Sequence, residues 1–162
     1  MKILYLDYDN VLHGEVRRYR EPPILRLETP GQLLFQNAPI LEALLEPYAD
    51  VKIVLSTSWV RVFGFDRARA YLPPALSQKV IGATFHRRHM WKEEFSQLAR
   101  CAQIFADVER RRPKAWLAID DEVDGWPAHA ISHLVPMPPV LGLGCPTATS
   151  ALKLRLETAF KQ

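Results

Sequence analysis

A short apolar run, Ile3, Leu4, Tyr5 and Leu6, ends on two carboxylates, Asp7 and Asp9. The run reads as a buried strand, so the carboxylates stand at its C-terminal end, where open α/β sheets bind their ligands. Positions two apart on an extended chain face the same side. Folding gains nothing from two like charges there, and their repulsion calls for a cation, a shared proton or solvent. The competing reading is an acidic turn, since Asp-Asn is a common turn dipeptide. On Asp7 and Asp9 alone both readings stand.

The 162 residues suit one domain with a real core, and 48% apolar against 24% charged residues is ordinary globular composition. A net charge of +3 is only mildly basic, and it argues for a nucleic-acid partner only if the cations cluster. Cys101 and Cys145 are too few for a disulfide framework or a zinc site. Asp7 interrupts the opening run too early for a signal peptide, and no stretch has the length of a membrane span. The expectation is a soluble, cytoplasmic protein.

Strand-like and helix-like segments alternate, which predicts an α/β fold: a single-domain three-layer sandwich over residues 1–162 with a mostly parallel sheet. An irregular stretch from about 13 to 38, rich in Arg and Pro, reads as a loop or small flap. Asn37 is expected to cap a short helix ending near Pro47, and Val51 to Leu55 forms a second strand that runs into Ser56, Thr57, Ser58 and Trp59. Asp66 can cap a helix through Leu72. From Trp91 to Arg110 the spacing of Phe95, Leu98, Ala102 and Phe105 predicts one helix. Ala115 to Ile119 reads as a strand followed by Asp120, Asp121, Glu122 and Asp124, Ile131 to Val135 as a later strand, and Thr147 to Phe160 as a closing helix.

Three strands thus end in polar chemistry, and in a parallel sheet their C-terminal ends share one edge. Several carboxylates in one place need a hard cation, and oxygen ligands favour Mg²⁺. Taken singly, Asp120-Asp121 reads as a solvated turn and Ser56 to Ser58 as a helix cap. Their joint arrangement with Asp7 and Asp9 favours a site.

The order DYDNVLHG at Asp7 to Gly14, STSW at Ser56 to Trp59 and DD at Asp120-Asp121 resembles the haloacid dehalogenase (HAD) superfamily of phosphohydrolases. With WLAIDDEVDGW, it is similar more narrowly to the small HAD domains associated with RNA-repair proteins. Asn10 replaces the usual Gly of the first motif, and Asn tolerates the left-handed geometry of that turn.

The resemblance implies that Asp7 is the nucleophile, forming an aspartyl-phosphate, and that Asp9 protonates the leaving oxygen and then activates water. It implies Mg²⁺ held by the Asp7 side chain, the Asp9 carbonyl and the pair Asp120-Asp121, either of which binds directly. Thr57, or Ser56 in its place, would bind the phosphoryl oxygens, with Ser58 beside them. The superfamily also needs a base on the phosphoryl group. Lys92 is the choice, in the first turn of the predicted helix; Arg100, two turns on, should point away, and Lys79, Arg87 and Arg88 are alternatives. Trp59 and Trp126 read as core or rim aromatics, and His13 as incidental or lining the pocket.

The segments before Asn37 and between Trp59 and Trp91 are too short for a full cap, so the site is expected to be open, with a minimal cap or none. It would admit a nucleic-acid end, a phosphoprotein or a small phosphate ester. Arg17, Arg18 and Arg20, with Arg87 and Arg88, are candidate phosphate contacts, the first cluster having the better claim because it follows the nucleophile, whereas Arg110 to Arg112 read as a solvated face at a helix C-terminus. The leading expectation is a Mg²⁺-dependent phosphatase. The alternatives are an inactive HAD-fold module that binds nucleic acid, and a receiver-like domain, which the motif order argues against.

Overall fold

The computed structural model describes residues 1–20 and 23–161, with side chains throughout except at 18–20, 23 and 24. Five parallel strands form the sheet: β1 (Lys2–Leu6), β4 (Val51–Leu55), β5 (Val80–Ala83), β6 (Ala115–Asp120) and β7 (Leu134–Pro136), in the order β5-β4-β1-β6-β7. A separate antiparallel hairpin, β2 (Val16–Arg20) with β3 (Pro23–Leu27), occupies the Arg-rich stretch after the first motif. The helices are α1 (Ala38–Leu45), α2 (Trp59–Phe63), α3 (Phe65–Ala70), α4 (Pro74–Ser77), α5 (Lys92–Gln97), α6 (Arg100–Arg111) and α7 (Pro146–Phe160). Among the described residues, no helix is long and apolar enough to cross a membrane.

Strand alternation sorts the core into two layers. Leu4 and Leu6 of β1, Ile53 and Leu55 of β4, and Leu117 and Ile119 of β6 pack with α1 and α7 on one face. Ile3, Tyr5, Val54 and Ala118 pack on the other, against Ile104 and Val108 of α6. This is the expected three-layer sandwich. Asp7 continues the Ile3–Tyr5 row and Asp120 the Ala118 row, so both carboxylates are delivered to the α6 face.

Four local expectations are corrected, the first being that the strand read from Ile131 to Val135 is a short helical turn, Ile131–His133, followed by β7. The helix predicted from Trp91 to Arg110 is two helices, because Leu98 and Ala99 are extended (ψ 138° and 149°). Phe95 packs in the first layer and Ile104 in the second, so a straight helix cannot serve both. The Gln103 amide donates to the Phe95 and Leu98 carbonyls at 3.1 Å and satisfies the interrupted end. Asn37 precedes α1 but does not cap it through its side chain; its amide nitrogen donates instead to the Val11 and Leu141 carbonyls (3.2 and 2.9 Å). And Arg110 and Arg111 are not merely solvated, since both pair with the fully buried Asp107 of their own helix. Strand β5 carries too short a signal, VIGA, to be read from pattern.

Candidate active site

The loop leaving β1 is held in one shape by its neighbours. Asn10 sits in the left-handed region (φ 57°), its side-chain nitrogen donates to Asp121 Oδ2 (2.9 Å), and its oxygen accepts the Val140 N–H (3.0 Å). Leu143 N–H donates to the Val11 carbonyl at 3.0 Å. Gly142 lies against this turn so closely that a Cβ would stand 2.4 Å from the Val11 carbonyl oxygen. The first motif is therefore clamped on one side by Asp121 and on the other by residues 140–143.

Asp7 is 4% exposed and Asp120 fully buried, with Asp121 half-buried beside them. One carboxylate oxygen from each of the three lies within 4.8 Å of the others. Asp7 Oδ1 accepts the Tyr8 N–H at 2.7 Å. Burial pushes the Asp7 carboxyl up to about 6, against the lowering by Arg100, and Asp9 adds to the rise. Burial and then Asp7 raise Asp120 well above the carboxylate range. Like charges in low dielectric are the cause.

The cation that meets them is Arg100. It is 7% exposed; its Nη2 donates to Asp7 Oδ2 at 3.2 Å, its Nε lies 3.1 Å from Asp120 Oδ2, and Glu122 is 3.5 Å away. Burial opposes its charge, but Asp7, Asp120 and Glu122 outweigh burial and hold it protonated more firmly than an ordinary arginine. The expectation that Arg100 points away is overturned: the break at Leu98–Ala99 makes it the first residue of α6, directly over the Asp7 row. Lys92 is exposed at the start of α5 and, among the described residues, pairs with none of these carboxylates.

Asp9 stands apart from the trio and is fixed separately. Phe35 N–H donates to His13 Nδ1 (3.1 Å), so the ring hydrogen sits on Nε2 and is donated to Asp9 Oδ1 (3.1 Å). Trp59 Nε1–H donates to the same oxygen at 3.1 Å. Both His13 and Trp59 are fully buried. From sequence His13 reads as incidental or lining the pocket and Trp59 as a core or rim aromatic; the link to Asp9 joins residues four and fifty positions away, and only the fold reveals it.

Just past the end of β4, Ser56 and Thr57 are buried. Ser56 Oγ has no hydrogen-bond partner among the described residues, and Thr57 Oγ1 accepts the Trp59 N–H at 3.3 Å. Ser58 is the residue before α2 and half-buried. Arg17 pairs with Glu28 across the hairpin, and the side chain of Arg18 lies outside the described residues.

The donor set suits a hard divalent ion. It is all oxygen, two of its three carboxylates pair with one guanidinium, and Asp120 Oδ2 is buried without a hydrogen-bond donor among the described residues. Comparison with curated proteins and with solved structures finds no match. The profile of one family, described as the HAD domain in Swiss Army Knife RNA repair proteins, matches residues 3–148. Strand order, first motif and acidic edge agree with it, and the chain belongs to this RNA-repair-associated family of the HAD superfamily.

Proposed function

We propose that the protein is a Mg²⁺-dependent phosphatase that hydrolyses phosphomonoesters through an aspartyl-phosphate on Asp7. The observation that carries the reading is the convergence of Asp7, Asp120 and Asp121 on one spot, with Arg100 bridging the first two. Structural stability alone would not select two buried carboxylates sharing one cation.

Asp7, Asp120 and Asp121, with the Asp9 carbonyl, would hold Mg²⁺, which when bound screens the phosphate from Asp7 and polarises its oxygens. Asp7 is at least largely ionised near neutrality even at a pKa of about 6, so it can attack phosphorus in line. Arg100 fixes the Asp7 carboxylate and offers charge to the transferring group. The Ser56 and Thr57 hydroxyls have hydrogens to give to phosphoryl oxygens. Asp9 exchanges the proton. With Oδ1 committed to His13 and Trp59, Oδ2 is the oxygen that protonates the leaving group and then takes a hydrogen from water. His13 and Trp59 are positioning residues for that step.

The substrate is a phosphomonoester on a small molecule or on a nucleic-acid end. Turnover screened across nucleotides, end-phosphorylated oligonucleotides and sugar phosphates, with Mg²⁺ and with EDTA, tests the reading. Mg²⁺-dependent release of phosphate from at least one class is expected. Salt-dependent oligonucleotide binding with no turnover of any class would favour the inactive nucleic-acid-binding module instead.

A further inference from the structure

One strand outward from the site, Leu55 of β4 pairs with Ala83 of β5, so the loop that follows β5 lies on the same sheet edge as Ser56 and Thr57. Between that loop and α2 runs a groove of about 810 Å³. Its rim carries Arg87, Arg88, Trp91 and Lys92. None of the three cations forms an ion pair among the described residues, and Glu93 is the only carboxylate in the lining. Trp91 is 75% exposed, an unusual fate for the largest apolar side chain. The rim is nonetheless built: the His89 and Met90 N–H groups both donate to the His86 carbonyl at 3.0 Å, and Phe85 packs on Phe95 at 5.2 Å beneath the turn.

We infer that this groove binds a single-stranded nucleic acid, with a base stacked on Trp91 and backbone phosphates on Arg87 and Arg88. Cations spaced along a channel match a repeating phosphate backbone, and a flat exposed ring matches a base face; this combination is how sequence-tolerant strand binding is built. An acidic peptide would use the cations and leave the ring unexplained. That the strand's terminal phosphate reaches Asp7 rests on the phosphatase reading; that the strand lies in the groove does not.

The test is fluorescence anisotropy of labelled oligouridylate and oligothymidylate with the full chain in EDTA, over a salt series, with a phosphoserine peptide as competitor. Trp91→Ala should weaken strand binding about tenfold, while Trp91→Phe retains most of it. Arg87→Ala with Arg88→Ala should lower the salt slope by about 1.4, because two fewer phosphates are neutralised. Binding of both oligomers supports a site that reads base and phosphate alone, and preference for the RNA supports one that also reads the 2′-hydroxyl. Affinity unchanged in both variants that melt like the parent, or displacement by the peptide at lower concentration than by unlabelled strand, would overturn it. Because binding is read without turnover, failure to hydrolyse any phosphate ester would sink the phosphatase reading and leave this inference standing.

Discussion

At the scale of single residues, the site is a balance of buried charge. Asp7 and Asp120 share Arg100, and the proton affinity of both is raised by burial. An acid whose folded pKa lies above its unfolded value of 3.8 binds its proton more tightly when folded, so its contribution to stability falls as pH rises from about 4 to about 6. Asp7→Asn removes that loss. In EDTA the variant should match the parent near pH 4 and melt several degrees higher above pH 6, a gain of about 1–3 kcal/mol read by differential scanning calorimetry. A constant offset across that range would contradict the assignment. Removing the cation does the reverse: Arg100→Gln leaves two buried carboxylates without their counter-charge and should cost about 3–5 kcal/mol, partly restored by Mg²⁺. Lys92→Ala, at an exposed position, should stay within about 0.5 kcal/mol in the same melts.

At the scale of elements, the strands that carry the acids could be read from sequence because an apolar run ending in Asp is a local signal: β1 and β6 begin and end within a residue or so of expectation. Position and turn geometry followed too, as with the left-handed Asn10. What could not be read was where a helix breaks. Phe95, Leu98, Ala102 and Phe105 keep helical spacing straight through Leu98–Ala99, and the break arises because the two halves bury against opposite faces of the sheet. Since the register of Arg100 depends on that break, helical spacing alone points its side chain away from the carboxylates with which it pairs. The same limit hid His13 and Trp59, whose bonds to Asp9 depend on tertiary approach. The loop between β7 and α7 offers a test at this scale. Gly142 has φ 50° and meets the Val11 carbonyl, so Gly142→Ala should destabilise by at least about 2 kcal/mol and lower turnover by shifting the turn that carries Asp7 and Asp9. A variant with parental melting and turnover would show that residues 140–143 do not clamp that turn.

At the scale of the whole molecule, one parallel sheet gathers residues from positions 7, 56 and 120 to a single edge, and the crossovers set what surrounds them. The hairpin of β2 and β3 stands where the Arg-rich stretch was expected to form a loop or flap, and its Arg17 is paired within the hairpin. Cations without an ion pair among the described residues line the β5–α5 side instead. The proposed hydrolysis requires that Asp7 form a covalent bond to phosphorus. That requirement is tested most directly by borohydride trapping: protein quenched during turnover of an aryl phosphate with Mg²⁺ is reduced and digested, and the peptide spanning residue 7 is read by mass spectrometry. An acyl phosphate at Asp7 is reduced to homoserine, so homoserine at position 7 is predicted, dependent on substrate and Mg²⁺ and missing from Asp7→Asn, which should also have lost turnover. Hydrolysis at an undiminished rate in Asp7→Asn, or sustained turnover with position 7 never modified, would contradict it.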